Sequence, residues 1–161
     1  MLEGALQWIQ NTSVAVAIGE STWLFPTIES IHVLAITLVV GTIAVIDLRL
    51  INLAGSGHAL SELLAEILPV TWVCFLTALI SGGLLFSSHA IKYFHNTPFQ
   101  LKMLFVLLAG LNMLVFHVFG MRRVRDWDLA PRVPRHAMVA GTLSLIFWVS
   151  VVACGRWIGF V

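Results

Sequence analysis

Charged side chains are scarce in this chain of 161 residues. Only 11% of the residues are charged and 59% are hydrophobic, whereas a soluble domain carries about 25% charged residues. A chain this apolar would aggregate in water, so the composition indicates an integral membrane protein surrounded by a lipid bilayer. The sequence also lacks a basic cluster with interleaved aromatic residues, and we therefore expect no nucleic-acid partner.

Cysteine is nearly absent as well. The two cysteines, Cys74 and Cys154, lie in apolar segments at different predicted depths, which favours small buried side chains over a disulfide or a metal pair. The N-terminus has no basic region typical of a cleaved signal peptide. We instead expect a short helix at the membrane surface, with Trp8 and Ile9 inserted. No hydrolytic triad or phosphate loop is present, so the sequence assigns no enzymatic activity.

Four segments are long and apolar enough to cross a membrane, since a spanning helix needs about 20 mainly apolar residues. They cover residues 24–47, 66–88, 99–120 and 137–160, and breakers such as HNTPF (95–99) and APRVPR (130–135) separate them. Short connections favour antiparallel packing of consecutive helices. We predict one transmembrane domain over residues 1–161, an all-α integral membrane fold. Its architecture is an up-down four-helix transmembrane bundle with a short N-terminal interfacial helix.

The basic residues predict the orientation of the bundle. Six of the nine lysines and arginines lie in two loops on the same predicted side, namely Arg49, Arg122, Arg123, Arg125, Arg132 and Arg135. Loops enriched in lysine and arginine stay on the cytoplasmic side. We therefore expect a multi-pass protein of the bacterial inner membrane with both termini in the periplasm.

The first span contains ionisable residues that hydrocarbon disfavours. The segment ESIHVLAITLVVGTIAVIDLR (29–49) carries Glu29, His32 and Asp47 on one side of a helix. A charge facing lipid costs about 3 kcal/mol or more, so this side should face the bundle interior. One interpretation is a proton relay through the three groups. For Asp47, we favour a structural role in which the carboxylate pairs with an arginine of the loop between spans three and four.

Further histidines and a lysine accompany His32. Lys102 opens the third span and His117 lies near its end, while His89 ends the second span and His136 begins the fourth. Imidazoles held between helices are the usual axial ligands of a b-type haem, and lysine or arginine suits the haem propionates.

These positions predict one or two haem b groups. His32 is the first candidate ligand, with His89 or Lys102 opposite or beside it, and His117 with His136 forms a weaker second site. Each histidine has a plainer interpretation as a hydrogen-bonded packing or solvated residue. A copper site is the alternative, with His32 and His117 as candidate metal ligands and the soft thioether of Met103 or Met113 beside His32.

Three stretches carry a resemblance to known proteins: PTIESIHVLAITLVVGTIAVIDLRLINL, LTALISGGLLFSS and FQLKMLFVLLAGLNMLVFH. Over residues 25–157 the chain resembles a family of small, uncharacterised bacterial inner-membrane proteins. More distantly, it is similar to the copper-resistance D (CopD) membrane domain and to the haem-binding membrane protoporphyrinogen oxidase of the HemJ type. The positions that match the oxidase pattern are His32, Gly41, Arg49, Lys102 and His117. This resemblance implies haem bound through His32, with Lys102 contributing to the site.

Together these features predict a small b-type cytochrome-like subunit that passes electrons between the quinone pool and a periplasmic partner protein. Two other classes compete with it. One is transport or handling of copper, protons or a small solute, and the other is a cofactor-free structural subunit of a larger complex. The sequence leaves open whether the protein forms an oligomer.

Overall fold

The computed structural model describes residues 1–54, 59–120 and 133–160, and every regular element in these ranges is helical. The elements, in chain order, are α1 (Leu2–Gln10), α2 (Ser13–Glu20), α3 (Leu24–Leu50), α4 (Leu60–Ser88), α5 (Ala90–Phe94), α6 (Thr97–Val115) and α7 (Arg135–Trp157). A π-helical turn at Phe116–Gly120 continues α6, and a 3₁₀ turn at Ile158–Phe160 continues α7. The predicted all-α membrane bundle is confirmed.

The four long helices are the membrane spans. Each is long and apolar enough to cross a bilayer, and between 11% and 22% of the residues in their most apolar stretches are buried inside the protein. The remaining large side chains, such as Leu34, Leu79 and Leu107, are exposed and face the lipid. Helix α4 begins six residues before the predicted span, because Leu60 and Leu64 pack into the core despite the polar residues around them. The chain is thus a multi-pass membrane protein.

The helices do not pack in sequence order. Helix α3 packs against α4 and α7, and α7 packs against α6, so the spatial order is α4, α3, α7, α6. Helices α4 and α6 are consecutive spans whose backbones seldom approach each other within the described ranges, and they meet at the α5 end, where the rings of Phe86 and Phe99 stack at 5.4 Å. These two spans thus meet at their ends, whereas α3 and α7, which are not consecutive, pack directly on each other.

The bundle has two ends that hold different groups. At one end, called here the α5 end, α1 and α2 pack against α4 and α5, and α7 finishes beside the start of α6. Two N-terminal helices are present where one was predicted. The opposite end, called the Asp47 end, contains the main apolar core, made of Ile46, Leu50, Leu60, Leu64, Val133 and Ala137.

Polar contacts between these ends join the helices in pairs. The Thr71 hydroxyl lies 2.9 Å from that of Thr42, linking α4 to α3. The Asn112 amide donates to the Ala140 carbonyl oxygen at 2.9 Å, linking α6 to α7. Such interhelical bonds fix the register of helices whose apolar surfaces alone would permit sliding.

Candidate functional site

His32 is held against α4 by a defined hydrogen bond. Its Nδ1 lies 3.0 Å from the Ser81 Oγ, and the Ser81 hydroxyl donates to the Thr77 carbonyl oxygen at 2.6 Å. Because the only hydrogen of that hydroxyl is engaged there, the hydrogen-bond network assigns the oxygen as the acceptor and places the proton on His32 Nδ1. The lone pair of the neutral imidazole is then on Nε2.

A glycine makes this position possible. A Cβ added at Gly82 would lie 2.8 Å from the His32 Cε1 and 3.3 Å from its Nδ1. Any larger residue at 82 would displace the ring. In contrast, a Cβ at the neighbouring Gly83 would have no atom within 4 Å. Ser81 and Gly82 therefore position the imidazole together. Ser81 accepts a hydrogen bond from Nδ1–H, and Gly82 leaves space for the edge of the ring.

Lys102 brings a positive charge to the same level of the bundle. Its side chain extends from α6 across α7, where a Cβ added at Gly155 would lie 3.7 Å from the Lys102 Nζ. The ammonium is within electrostatic range of His32. The contacts found for the described parts of the chain include no carboxylate partner for Lys102. All four spanning helices thus contribute to one site near the α5 end, which we call the His32 site: His32, Ser81, Gly82, Lys102 and Gly155.

His89 lies closer to the membrane edge than His32 does. It follows Gly82 by seven residues, which is about 10 Å along a helix axis. Its Nδ1 lies 3.0 Å from the Ser88 Oγ, and its ring packs edge-to-face on Phe25 and Tyr93. Within the described ranges the contacts of His89 join it to these aromatic rings, and its pairing with His32 on one metal atom stays a prediction. His89 belongs to a separate aromatic cluster at the α5 end.

Glu29 differs from its predicted environment. Its side chain is exposed and lies near Tyr93 of α5, outside the bundle interior where the sequence pattern had placed it. The pKa of the Tyr93 phenol lies above its usual value of 10.0, because the side chain is partly buried and the Glu29 carboxylate disfavours a second negative charge. The three ionisable residues of the first span thus have three different environments.

Asp47 is the most enclosed acid among the described residues. Its side chain is only 3% exposed, and it hydrogen-bonds to Ser144 of α7. Its Oδ2 has no hydrogen-bond partner within the ranges that the structure describes. Arg49, two residues later, is also buried and has interactions of its own. The expected pairing of Asp47 with an arginine at 122–132 falls outside the described residues and stays a prediction.

The second predicted site is less enclosed. His117 lies in the π-helical turn after α6, His136 lies in the first turn of α7, and both side chains are exposed. No group of three or more His, Cys, Asp or Glu side chains with metal-binding geometry occurs in the described ranges. Met103 and Met113, the candidate copper ligands, are 43% and 48% exposed. The side chains of these two histidines and two methionines are therefore exposed, unlike that of His32.

Sequence reasoning found His32 and Lys102 but missed the residues that position them. Ser81, Gly82 and Gly155 were given no role at the site. The signal was present in the run SGG at 81–83, where a hydroxyl and small residues occur together in the middle of an apolar helix. That run becomes informative only when the register of α4 against α3 is known.

The chain belongs to a family of unknown function (DUF6644), whose sequence profile matches residues 6–161. No curated protein and no solved structure matches it. The resemblance to an uncharacterised membrane family is confirmed, and the comparisons show no similarity to the copper-resistance D or HemJ-type proteins.

Proposed function

We propose that this protein is a small b-type cytochrome-like electron-transfer subunit of the membrane, with haem b held by His32. The supporting observation is the hydrogen bond between the His32 Nδ1 and the Ser81 Oγ, from which the tautomer is assigned. With Nδ1–H donated to Ser81, the lone pair of Nε2 is available to an iron atom, and the hydrogen bond at Nδ1 orients the ring and raises its basicity. Histidines that bind metals have this arrangement as a rule. Haem would supply reversible one-electron chemistry at this position.

The other residues of the His32 site suit the same group. Lys102 places an ammonium near His32 without a carboxylate partner in the described residues, and such a cation would bind a haem propionate or lie beside the iron. His89, about 10 Å further along the helices, would contact the edge of the group and would not ligate its iron. We assign a single haem to the His32 site, since the exposed His117 and His136 show no comparable orientation.

The proposed setting is the bacterial inner membrane. Both termini lie at the α5 end, and Phe116 and Val133, the described residues on either side of the arginine-rich stretch, lie at the Asp47 end. The excess of arginines in that stretch would place the α5 end in the periplasm. The His32 site would then lie in the periplasmic half of the bilayer. A quinone and a periplasmic redox protein are the partners that such a position would serve. The exposed side chains of Met103 and Met113 do not favour copper.

The test is a reduced-minus-oxidised visible spectrum of the purified full-length protein, with His32→Ala and His136→Ala variants beside it. We expect sharp haem bands in the wild type and in His136→Ala, and their loss in His32→Ala. Ser81→Ala should keep the haem but shift its reduction potential, because the hydrogen bond that raises ligand basicity is removed.

A folded wild-type protein that stays colourless after expression with added haem would refute the proposal. Bands that survive in His32→Ala and vanish in His136→Ala would move the ligand to the Asp47 end. A colourless protein would direct attention to proton or solute transport, or to a structural role in a complex.

A further inference from the structure

The Asp47 end contains a polar group that the proposed haem site does not use. We propose that Asp47 is a proton-binding site, with its carboxyl group protonated in the folded bundle and hydrogen-bonded to Ser144. The geometry that supports this is the enclosure of the side chain, which is 3% exposed, together with the lack of a hydrogen-bond partner for Oδ2 among the described residues. This inference is independent of the haem.

The enclosure of Asp47 has a steric cause. A Cβ added at Gly141 would lie 2.9 Å from the Leu50 Cβ and 3.2 Å from the Asp47 carbonyl oxygen. Helix α7 therefore passes over this part of α3 in close backbone contact, and Gly141 is what permits it. The core residues Ile46 and Leu50 flank the carboxyl group along α3. Water and lipid headgroups are kept away from the carboxyl oxygens by this packing.

An ionised carboxylate in such a position needs a cation or several donors. The donor found for Asp47 is the Ser144 hydroxyl, which satisfies one oxygen. A protonated carboxyl group leaves a neutral polar atom unpaired, which costs far less than an unpaired charge. A metal cation would require a larger set of oxygen ligands than Asp47 and Ser144 provide. The proton is therefore the ligand that suits this pair of residues.

The other titratable groups around Asp47 face elsewhere. Glu62 and Glu66 of α4 are exposed, as are His117 of the π-helical turn and Arg135 and His136 of α7. On α3 itself, Arg49 is buried and interacts with other groups. The arginines at 122, 123, 125 and 132 lie outside the described residues, and an ion pair with one of them is the competing arrangement.

Infrared spectroscopy of the purified protein in lipid nanodiscs distinguishes the two arrangements at neutral pH. We expect the carbonyl stretching band of a protonated carboxyl group in the wild type and its loss in Asp47→Asn. The band should remain in the matched control Glu29→Gln, which changes the exposed acid on the same helix. If the wild type lacks this band and Asp47→Asn instead loses a carboxylate band, Asp47 is ionised and the proposal is overturned.

A second measurement needs no variant. Dicyclohexylcarbodiimide enters membranes and reacts with protonated carboxyl groups. Mass spectrometry of the treated wild-type protein should find the adduct on Asp47 in preference to Glu29 and Glu62. Labelling of the exposed acids with Asp47 unmodified would contradict the proposal. Loss of haem in the spectrum of the preceding section would leave both of these results unchanged, so the two proposals fail separately.

Discussion

The contact between Gly82 and His32 allows one substitution to be worked out in detail. In Gly82→Ala the new Cβ would lie 2.8 Å from the His32 Cε1, whereas ordinary contact begins at 3.4 Å. The ring therefore has to move by about 0.6 Å to restore ordinary contact. Ser81 lies on the same helix, so a movement directed away from that helix would stretch the 3.0 Å hydrogen bond from Nδ1 toward about 3.6 Å, which no longer counts as a hydrogen bond.

Gly83→Ala is the matched control, since a Cβ at that position has no atom within 4 Å. The gain in helix propensity on replacing glycine by alanine is the same in both variants and cancels when they are compared. Overpacking and the lost interhelical hydrogen bond affect only Gly82→Ala. We therefore expect its free energy of unfolding to be lower than that of Gly83→Ala by about 2 kcal/mol.

The assay is unfolding by dodecyl sulfate in mixed micelles, followed by circular dichroism, with the haem spectrum recorded on the same samples. Gly82→Ala should unfold at a lower detergent fraction than Gly83→Ala, and only Gly82→Ala should alter the haem bands. Equal stability and equal spectra in the two variants would show that His32 does not rest on Gly82, and the tautomer argument would fail with it.

Three further predictions concern other parts of the bundle. Gly141→Ala should destabilise the protein by about 1–3 kcal/mol, because its Cβ would meet the backbone of α3. Gly110→Ala is the matched control, because its Cβ would have no neighbour within 4 Å and should not destabilise the protein. Equal unfolding curves for the two variants would contradict the close packing of α7 on α3. Tyr93 is the single tyrosine, so alkaline absorbance should report its pKa directly. The midpoint should lie above 10.0 and fall in Glu29→Gln, and any stability gained from the buried neutral phenol should be lost as the pH rises above about 10. Thr71→Val should lower the free energy of unfolding by about 0.6 kcal/mol, because the hydrogen bond to α3 is lost. An unchanged unfolding midpoint would mean that this bond does not stabilise the bundle.

The spanning helices could be predicted from the sequence because a bilayer imposes a strict rule on length and polarity. About 20 apolar residues in a row have few alternatives to a spanning helix, and the structure extends the predicted segments by at most a few turns. The packing order could not be predicted in the same way. All four spans have similar composition, and the position of α7 beside α3 depends on close contacts at Gly141 and Leu50 that no periodicity expresses.

The sequence likewise predicts some residues of the candidate site and not others. His32 and Lys102 stand out because ionisable residues are rare in spanning helices, so the sequence alone identified them. Their supporting residues are small and common in membrane helices, and only the register between helices shows that Ser81 meets one imidazole nitrogen while Gly82 meets its carbon edge. His89 was grouped with His32 by its predicted depth, whereas its ring packs on Phe25 and Tyr93 in the structure.

Lys102 offers a final prediction, in which stability and binding change in opposite directions. Its ammonium is half-buried near the α5 end without a carboxylate in the described residues to balance it. A cation held in a spanning helix opposes folding unless a partner compensates it, by up to about 3 kcal/mol at the helix centre and less near its end. Lys102→Met keeps the volume of the side chain and removes the charge. We therefore expect the haem-free protein to become more stable by about 1 kcal/mol, while its affinity for haem falls.

Lys92→Met is the control, since Lys92 is exposed on α5 and should change neither quantity. Unfolding in mixed micelles and titration with haemin measure the two effects on the same preparations. A haem-free Lys102→Met variant that is less stable than the wild type would mean that the ammonium already has a structural partner within the chain. In that case the charge would belong to the fold, and the case for an anionic group of the ligand at the His32 site would be lost.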